Sequence, residues 1–306
     1  LVYTITCEIG ITTKNARLLM WNHIAAQISK VTGKPFVSSD RRSVSGGCIN
    51  QGYALSDGDR TYFVKLNQAS ELAMFEAEAA GLRQLQRTDT IRVPTPICYG
   101  VCGESAYLVL EWLQLGQGTS AAWEAMGQQL AALHQTKVGD TFGWERHNTI
   151  GSTPQINTWT PSWTAFWVKH RLGYQLQLAQ RRGGHFPKQD QLLTLIPDLL
   201  AGHTPQTSLV HGDLWSGNAA VTQTGEPVIF DPATYVGDRE VDLAMTELFG
   251  GFPAAFYQGY NQVFPLDEGY QQRKPLYNLY HVLNHFNLFG GSYESQANRM
   301  IMQLLG

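Results

Sequence analysis

The spacing of hydrophobic residues divides the first third of the chain into helices and strands. Apolar residues recur at helical spacing over residues 21–32 and again through SELAMFEAEAAGLRQLQ at 70–86. Between them, SVSGGCINQGYAL at 43–55 and TYFVKLN at 61–67 have strand-like composition, and SDGD supplies a turn. Prolines keep RVPTPICYG extended, and AYLVLEWL is apolar enough for a buried strand. The pattern predicts a small α+β lobe over residues 20–113.

Helical spacing dominates the rest of the chain. After the Gly-rich segment LGQGTS, the stretch AAWEAMGQQLAALHQT places apolar residues at 123, 126, 130 and 133, as an amphipathic helix does. The exceptions are the short apolar segments SLV and PVIF, which flank LVHGDLWSGN and predict a hairpin-like insert. Residues 114–306 are therefore expected to form a larger helical lobe, which makes the whole chain an α+β, bilobal fold.

The N-terminal stretch is set apart from this fold. Residues 1–19 lack the charged start and the long apolar run of a secretory signal. We treat these residues as a non-native or disordered extension that precedes Met20.

Composition excludes several classes of function. The net charge is −3 and no basic stripe is present, so a nucleic-acid partner is not expected. The longest apolar runs are far too short to span a bilayer, so no membrane partner is expected either. Four scattered cysteines show neither a disulfide framework nor metal-ligand spacing, which favours a reducing, cytoplasmic setting.

The segment LVHGDLWSGN at 209–218 predicts a tight loop that follows a buried strand. Asn218 follows Asp213 by five positions, the spacing of the protein-kinase catalytic loop. In that loop the Asp accepts the proton of the attacking hydroxyl and the Asn holds Mg²⁺. Asp231, at the end of PVIF, can supply a second oxygen ligand. The alternative is an ordinary turn in which Asp213 caps local amides.

The N-terminal lobe contains candidates for a nucleotide site. Gly46 and Gly47 could place backbone amides over phosphates, although the full G-x-G-x-x-G motif is absent. Lys65 lies in an apolar strand and needs an acidic partner. Glu76 and Glu78 lie about 200° apart around the following helix, so only one can face Lys65, and we favour Glu78.

The strand AYLVLEWL ends at a position suited to an adenine base. There the backbone of Glu111, Trp112 and Leu113 could pair with the adenine edge, although an ordinary core strand explains the same residues. The order of Gly loop, Lys, Glu, hinge strand, Asp-x-x-x-x-Asn and Asp is that of a kinase, and it predicts ATP and Mg²⁺ as cofactors.

The segment after Asp231 differs from that of protein kinases. DPATYVGDREVDLAM replaces the APE segment and the long activation loop, as in the aminoglycoside and choline phosphotransferases. Within it, Asp242 is expected to begin a helix and to brace the catalytic loop by accepting its amide hydrogens.

HGDLWSGN closely resembles the fructosamine kinase (ketosamine-3-kinase) family. Further blocks of the same family pattern occur in order from about Met20 to the C-terminus: SGGCINQGY, FVKLN, FEAEAAGL, LEWL, FGWERHNTIGSTPQINTW, DPATYVGDREVDLAM and LYHVLNHFNLFGGSY. The resemblance implies a protein-kinase-like fold and ATP-dependent phosphorylation of the 3-hydroxyl of a ketosamine, free or on a protein lysine. The phosphorylated product is unstable and releases the amine.

The resemblance also implies roles for particular residues. Asp213 becomes the proton acceptor, and Asn218 and Asp231 become the metal ligands. Lys65 and Glu78 position the phosphates, and Glu111 to Leu113 form the adenine hinge.

Trp215 and Cys48 each have two interpretations. An aromatic ring beside the catalytic Asp suits the C–H face of a sugar, so Trp215 is a substrate candidate, unless it only packs under the loop. Cys48 lies in the predicted phosphate loop, where it is either a small buried residue or, as the resemblance implies, a redox-sensitive thiol. The expected state is a monomer or a redox-linked dimer.

Two other functions stay open at this point. The substrate could be another small alcohol, such as an aminoglycoside or choline. The chain could also be a non-catalytic nucleotide-binding module, but such modules usually lack at least one essential residue, and none is missing here.

Overall fold

The computed structural model describes residues 13–44 and 49–306, and the side chains of residues 13–16 lie outside the description. Contacts divide the chain into two compact units, residues 1–75 with 96–112 and residues 76–95 with 113–306. Among the described residues, no helix is both long and apolar enough to cross a bilayer.

The first unit contains a five-stranded antiparallel sheet and a long helix. The strands lie in the order β1-β2-β3-β5-β4, and helix α1 contributes Trp21, Ile24 and Ile28 to the core of this unit. The elements are α1 (Thr13–Thr32), β1 (Asp40–Val44), β2 (Gln51–Ser56), β3 (Thr61–Gln68), β4 (Pro96–Cys102) and β5 (Ser105–Glu111).

Two boundaries in this unit differ from the sequence prediction. The segment 43–55 contributes to two strands rather than one, because β1 and β2 pair antiparallel and the chain must reverse between them. Helix α1 begins at Thr13, so part of the stretch that we had treated as an extension is helical.

The second unit is mainly helical, as expected. Its helices are α3 (Ser120–Gln135), α4 (Trp163–Phe166), α5 (Gly173–Arg181), α6 (Gln189–Leu199), α7 (Glu240–Leu248), α8 (Ala254–Val263), α9 (Tyr270–Phe289) and α10 (Tyr293–Leu305). A π-helical turn, Trp167–Leu172, joins α4 to α5. Helix α2 (Leu72–Gln86) belongs to this unit from Glu76 onward. Together with the sheet of the first unit, this confirms the α+β class.

Seven short strands lie among these helices. They are β6 (Leu115–Gly116), β7 (Asn148–Ile150), β8 (Thr153–Gln155), β9 (Ser208–Val210), β10 (Ala219–Thr222), β11 (Pro227–Ile229) and β12 (Tyr235–Gly237). SLV and PVIF, which become β9 and β11, do not pair with each other. β9 pairs with β12, and β11 pairs with β10, whose other edge holds β6. The predicted hairpin-like insert is therefore two separate antiparallel pairings, one at each end of the loop.

Helices α3 and α8 cross at backbone contact. A Cβ atom on Gly127 would lie far inside van der Waals contact with the carbonyl oxygen of Phe256, and one on Gly259 would do the same at Glu124. This close crossing brings the end of α3 near Tyr260 of α8, whose hydroxyl lies 2.9 Å from His134 Nδ1. Backbone sterics thereby set the position of a histidine that reaches the candidate site.

We expect Gly127→Ala to lower the free energy of unfolding by about 2 kcal/mol or more, because the helices must separate to admit the methyl group. Urea unfolding followed by circular dichroism measures this change. Gln129→Ala, elsewhere on the same helix, is the control and should stay within about 0.5 kcal/mol of the parent. Equal stabilities for the two variants would contradict the close crossing.

Candidate active site

The loop that carries Asp213 begins where strand β9 ends. All three residues of β9 are buried, and the chain turns sharply at Gly212, which has φ +83°. A Cβ atom at this position would overlap the carbonyl oxygen of Ala233, so the turn requires glycine for two reasons. The prediction that Asp213 directly follows a buried strand is confirmed.

Asp242 holds the start of this loop. Its carboxylate accepts hydrogen bonds from the backbone N–H of His211 at 2.7 Å and of Gly212 at 2.8 Å. His134 Nε2 lies 3.1 Å from the same carboxylate. The expected bracing role of Asp242 is therefore confirmed, although the residue lies in the first turn of α7 rather than at its first position.

Asp242 stays ionised despite its burial. Burial alone would raise its pKa, but hydrogen bonds from His134 and from the loop amide of Gly212 lower the pKa below its usual value. A carboxylate in this state is a strong acceptor for the backbone N–H groups.

His211 links the loop that carries Asp213 to the turn that follows β11. The backbone N–H of Asp213 donates to His211 Nδ1 at 3.3 Å, and His211 Nε2 lies 3.0 Å from the carbonyl oxygen of Phe230. These partners require a neutral ring that carries its proton on Nε2. Burial lowers the pKa of His211, which agrees with the neutral form.

Asn218 and Asp213 contact each other directly. Asn218 Nδ2 donates to the backbone carbonyl of Asp213 at 2.9 Å and to its carboxylate at 3.3 Å. Nδ2 is the donor in both bonds, and Asn218 Oδ1 accepts no hydrogen bond from the described residues. This oxygen therefore suits a hard cation such as Mg²⁺.

The Asp213 carboxyl is half-buried, and it lies among other acids. Burial, together with the charges of Asp231 and Asp242, raises its pKa to about 7, although the Asn218 hydrogen bond opposes the shift. An acid with a pKa near neutrality can accept a proton from a hydroxyl group at the pH of the cell.

Asp231 lies on the turn that follows β11. It has φ 59°, a left-handed conformation that is uncommon for residues other than glycine. The preceding N–H, that of Phe230, donates to the Asn218 carbonyl at 3.0 Å, which ties this turn to the catalytic loop. The structure thus brings Asp213, Asn218 and Asp231 together within one unit.

Trp215 is partly packed and partly open. Its ring covers Gly217, where a Cβ atom would overlap the indole carbons, yet 39% of the residue is exposed. Packing within the loop and contact with a substrate are therefore both compatible with its position, and the substrate role stays a prediction.

The structure places the described nucleotide-binding candidates on β3, α2 and the end of β5. Lys65 lies on β3 and is only 4% exposed, and Glu78 lies on α2. Glu111 ends β5, and Trp112 and Leu113 follow it. Gly46, Gly47 and Cys48 lie outside the described residues, so their roles stay predictions.

The sequence reasoning missed several residues that support the loop. His134 comes from the far end of α3, and its contact with Asp242 joins residues 108 positions apart. Gln155 and Asn148 are also far from their partners in sequence. They donate hydrogen bonds to backbone carbonyls in the segment after Asp231. The one sequence signal that could have identified such a supporting residue is a polar residue on an otherwise apolar helix face. Only His134 shows this signal.

We expect Asp242→Asn to lower the free energy of unfolding by about 2 kcal/mol or more, because the uncharged amide cannot accept from all three donors. Turnover should also fall, since the loop loses its anchor. Urea unfolding and kcat measure the two effects. Asp190→Asn, at an exposed position of helix α6, is the matched control, and no difference between the two variants would refute the anchoring role.

Comparison with known proteins identifies the family of this chain. The fructosamine kinase family model matches residues 20–306. A solved structure from Haemophilus somnus, provisionally named a fructosamine-3-kinase, aligns with a TM-score of 0.89 and 33% identity, and the match covers 94% of this chain and 98% of that one.

Curated relatives agree over nearly the whole chain. A Synechocystis protein named "probable ketoamine kinase" is 62% identical over 285 residues, which is 93% of this chain and 97% of the relative. The chloroplastic protein-ribulosamine 3-kinase of Oryza sativa subsp. japonica is 40% identical over 286 residues, covering 92% and 81% respectively. The family match and these identities confirm the expected resemblance, and the chain belongs to the fructosamine kinase family.

Proposed function

We propose that this protein is an ATP-dependent ketosamine 3-kinase that phosphorylates the 3-hydroxyl of sugar–amine adducts and thereby promotes their breakdown. The observation that supports this most strongly is the arrangement of Asp213, held by Asn218 and close enough to Asp231 for its charge to raise the Asp213 pKa. Relatives that are named as ketoamine kinase and ribulosamine 3-kinase support ketosamines as the substrate class.

Asp213 is proposed to act on the sugar hydroxyl. Its carboxylate would accept a hydrogen bond from the 3-hydroxyl and orient it toward the γ-phosphorus of ATP, and then take the proton as the new O–P bond forms. The raised pKa makes this carboxylate a better base than an exposed Asp. The phosphoryl group leaves ADP and joins the sugar oxygen.

The remaining residues would position the nucleotide. Asn218 Oδ1 and the Asp231 carboxylate are the oxygen donors proposed to hold Mg²⁺, which neutralises the phosphate charge when bound. We assign phosphate contacts to Lys65 and Glu78, and the adenine contact to the backbone of 111–113. Protein-bound ribulosamine is included among the substrates because the plant relatives are named for it.

We expect Asp213→Asn to lower kcat by at least about a hundredfold, because the amide cannot accept the proton. Mg·ATP binding should change little. ATP consumption across a panel of fructosyl-lysine, ribulosyl-lysine, choline and an aminoglycoside measures turnover, and calorimetry measures binding.

The panel also separates this proposal from its alternatives. Preferred turnover of choline or the aminoglycoside would redirect the assignment to another small alcohol. ATP binding without transfer to any ketosamine would support a non-catalytic module. Near-normal turnover by Asp213→Asn would exclude the residue as the base.

For Trp215→Ala we expect the KM for the ketosamine to rise about fivefold to tenfold, since a contact of an aromatic ring contributes about 1 kcal/mol. The KM for ATP should stay within about twofold of the parent value. Trp159→Ala is the control, because Trp159 is 46% exposed and lies on another segment. Equal rises in both KM values for Trp215→Ala would favour the packing role.

A further inference from the structure

Arg171 is a fully buried cation for which the described residues offer no carboxylate partner. It lies in the π-helical turn between α4 and α5, with 0% of its surface exposed. Its Cζ atom lies 4.0 Å from the centre of the Tyr235 ring and 4.5 Å from that of Phe166. Its Nε atom has no hydrogen-bond partner among those residues. A buried charge without a counter-ion is costly, so Arg171 is a candidate for a role other than stability.

The guanidinium binds the hairpin formed by β7 and β8. Nη1 donates to the Ile156 carbonyl at 2.7 Å, and Nη2 donates to Asn157 Oδ1 at 2.8 Å. Asn157 in turn donates to Asn148 Oδ1 at 2.7 Å. Arg171 therefore holds the segment directly after the second strand, and Asn157 passes this restraint to Asn148 at the start of the first strand.

The hairpin, in turn, binds the backbone that follows Asp231. Gln155 Nε2 donates to the Ala233 carbonyl at 2.9 Å, and Asn148 Nδ2 donates to the Thr234 carbonyl at 2.9 Å. The Ala233 N–H donates to the His211 carbonyl at 2.9 Å, so the same segment also holds the catalytic loop. Arg171 reaches this segment a second time through the ring of Tyr235.

Asp231 needs such restraint. Its left-handed φ of 59° is unfavourable for a residue with a side chain, and such conformations persist only where the surrounding structure enforces them. The hydrogen bonds to residues 233 and 234, and the packing of Tyr235, supply that restraint on one side of Asp231. On the other side, Phe230 bonds Asn218 and His211.

A second tyrosine lies near the guanidinium and bonds the same hairpin. Tyr280 donates to Gln155 Oε1 at 2.7 Å, and its ring centre lies 5.7 Å from Arg171 Cζ. Burial raises the pKa of Tyr280 to about 12, and the charges of Arg171 and Asp213 act on it in opposite directions. Tyr280 therefore contacts both Gln155 of the hairpin and the Arg171 guanidinium.

We propose that Arg171 is a positioning residue, which holds the β7–β8 hairpin and Tyr235 so that Asp231 keeps the conformation required for metal binding. This inference rests on the proposed roles of Asp213 and Asp231. It assigns Arg171 no contact with substrate or nucleotide.

Arg171→Met separates positioning from stability. Met is an apolar replacement of similar length that removes an uncompensated charge, although it also leaves the Ile156 carbonyl and Asn157 Oδ1 without their donor, so we expect the variant to remain folded. We expect kcat to fall and the Mg²⁺ concentration for half-maximal rate to rise, each by about tenfold or more, as for residues that support metal ligands. Hydrogen exchange over residues 231–237 should become faster. Arg181→Met, exposed on the same helical run, should change none of these.

Several outcomes would overturn the proposal. One is a folded Arg171→Met variant whose kcat and Mg²⁺ requirement match those of the parent. Another is a loss of activity that is fully explained by a smaller amount of folded protein. If Arg171→Met fails to fold, Gln155→Met tests the same connection, because it removes the bond to Ala233 and leaves Arg171 in place. Unchanged Mg²⁺ requirement in that variant would equally overturn it.

The experiment distinguishes failure of this inference from failure of the proposed function. The parent and Asp213→Asn are assayed beside the Arg171 variants, and absent turnover of every ketosamine by the parent would refute the function alone. Mg·ADP binding by calorimetry and exchange over 231–237 then still test Arg171. We expect weaker binding and faster exchange in Arg171→Met, and parent-like values would refute the positioning role.

Discussion

Two hydrogen bonds from backbone N–H groups to the buried carboxylate of Asp242 are the interaction on which this site depends. They hold His211 and Gly212, and therefore the direction in which the chain leaves β9 toward Asp213. The carboxylate is kept ionised by His134, which α3 delivers through its close crossing with α8. The glycine contact between α3 and α8 thus helps to fix the orientation of the loop that carries Asp213.

The site is an accumulation of like charges that the fold must hold in place. Asp213, Asp231 and Asp242 lie near enough to one another that the pKa of Asp213 rises toward neutrality. The histidine in the loop is neutral, and the buried guanidinium of Arg171 donates to the segment after the β7–β8 hairpin rather than to these carboxylates. Such an arrangement costs stability, as is common where function opposes folding, and it is what the proposed Mg²⁺ and phosphate site would require.

Several features could be predicted from the sequence because they depend on local order along the chain. The five-residue spacing of Asp213 and Asn218 lies within one loop, and Asp242 lies at the start of the next helix, so their relation needs little tertiary information. The pairing of β9 with β12 was missed, because SLV and PVIF look equivalent as short apolar runs. Nothing local indicates which of several short strands becomes the partner.

The sequence by itself determined the family, the order of the kinase motifs, the α+β class and the loop that carries Asp213. Only the tertiary structure decided which distant side chains support that loop: His134, Asn148, Gln155 and Arg171. The physical reason is that these residues act through hydrogen bonds to partners that are distant in sequence. A buried polar residue has no periodic pattern, and its partner is set by packing rather than by neighbours in sequence.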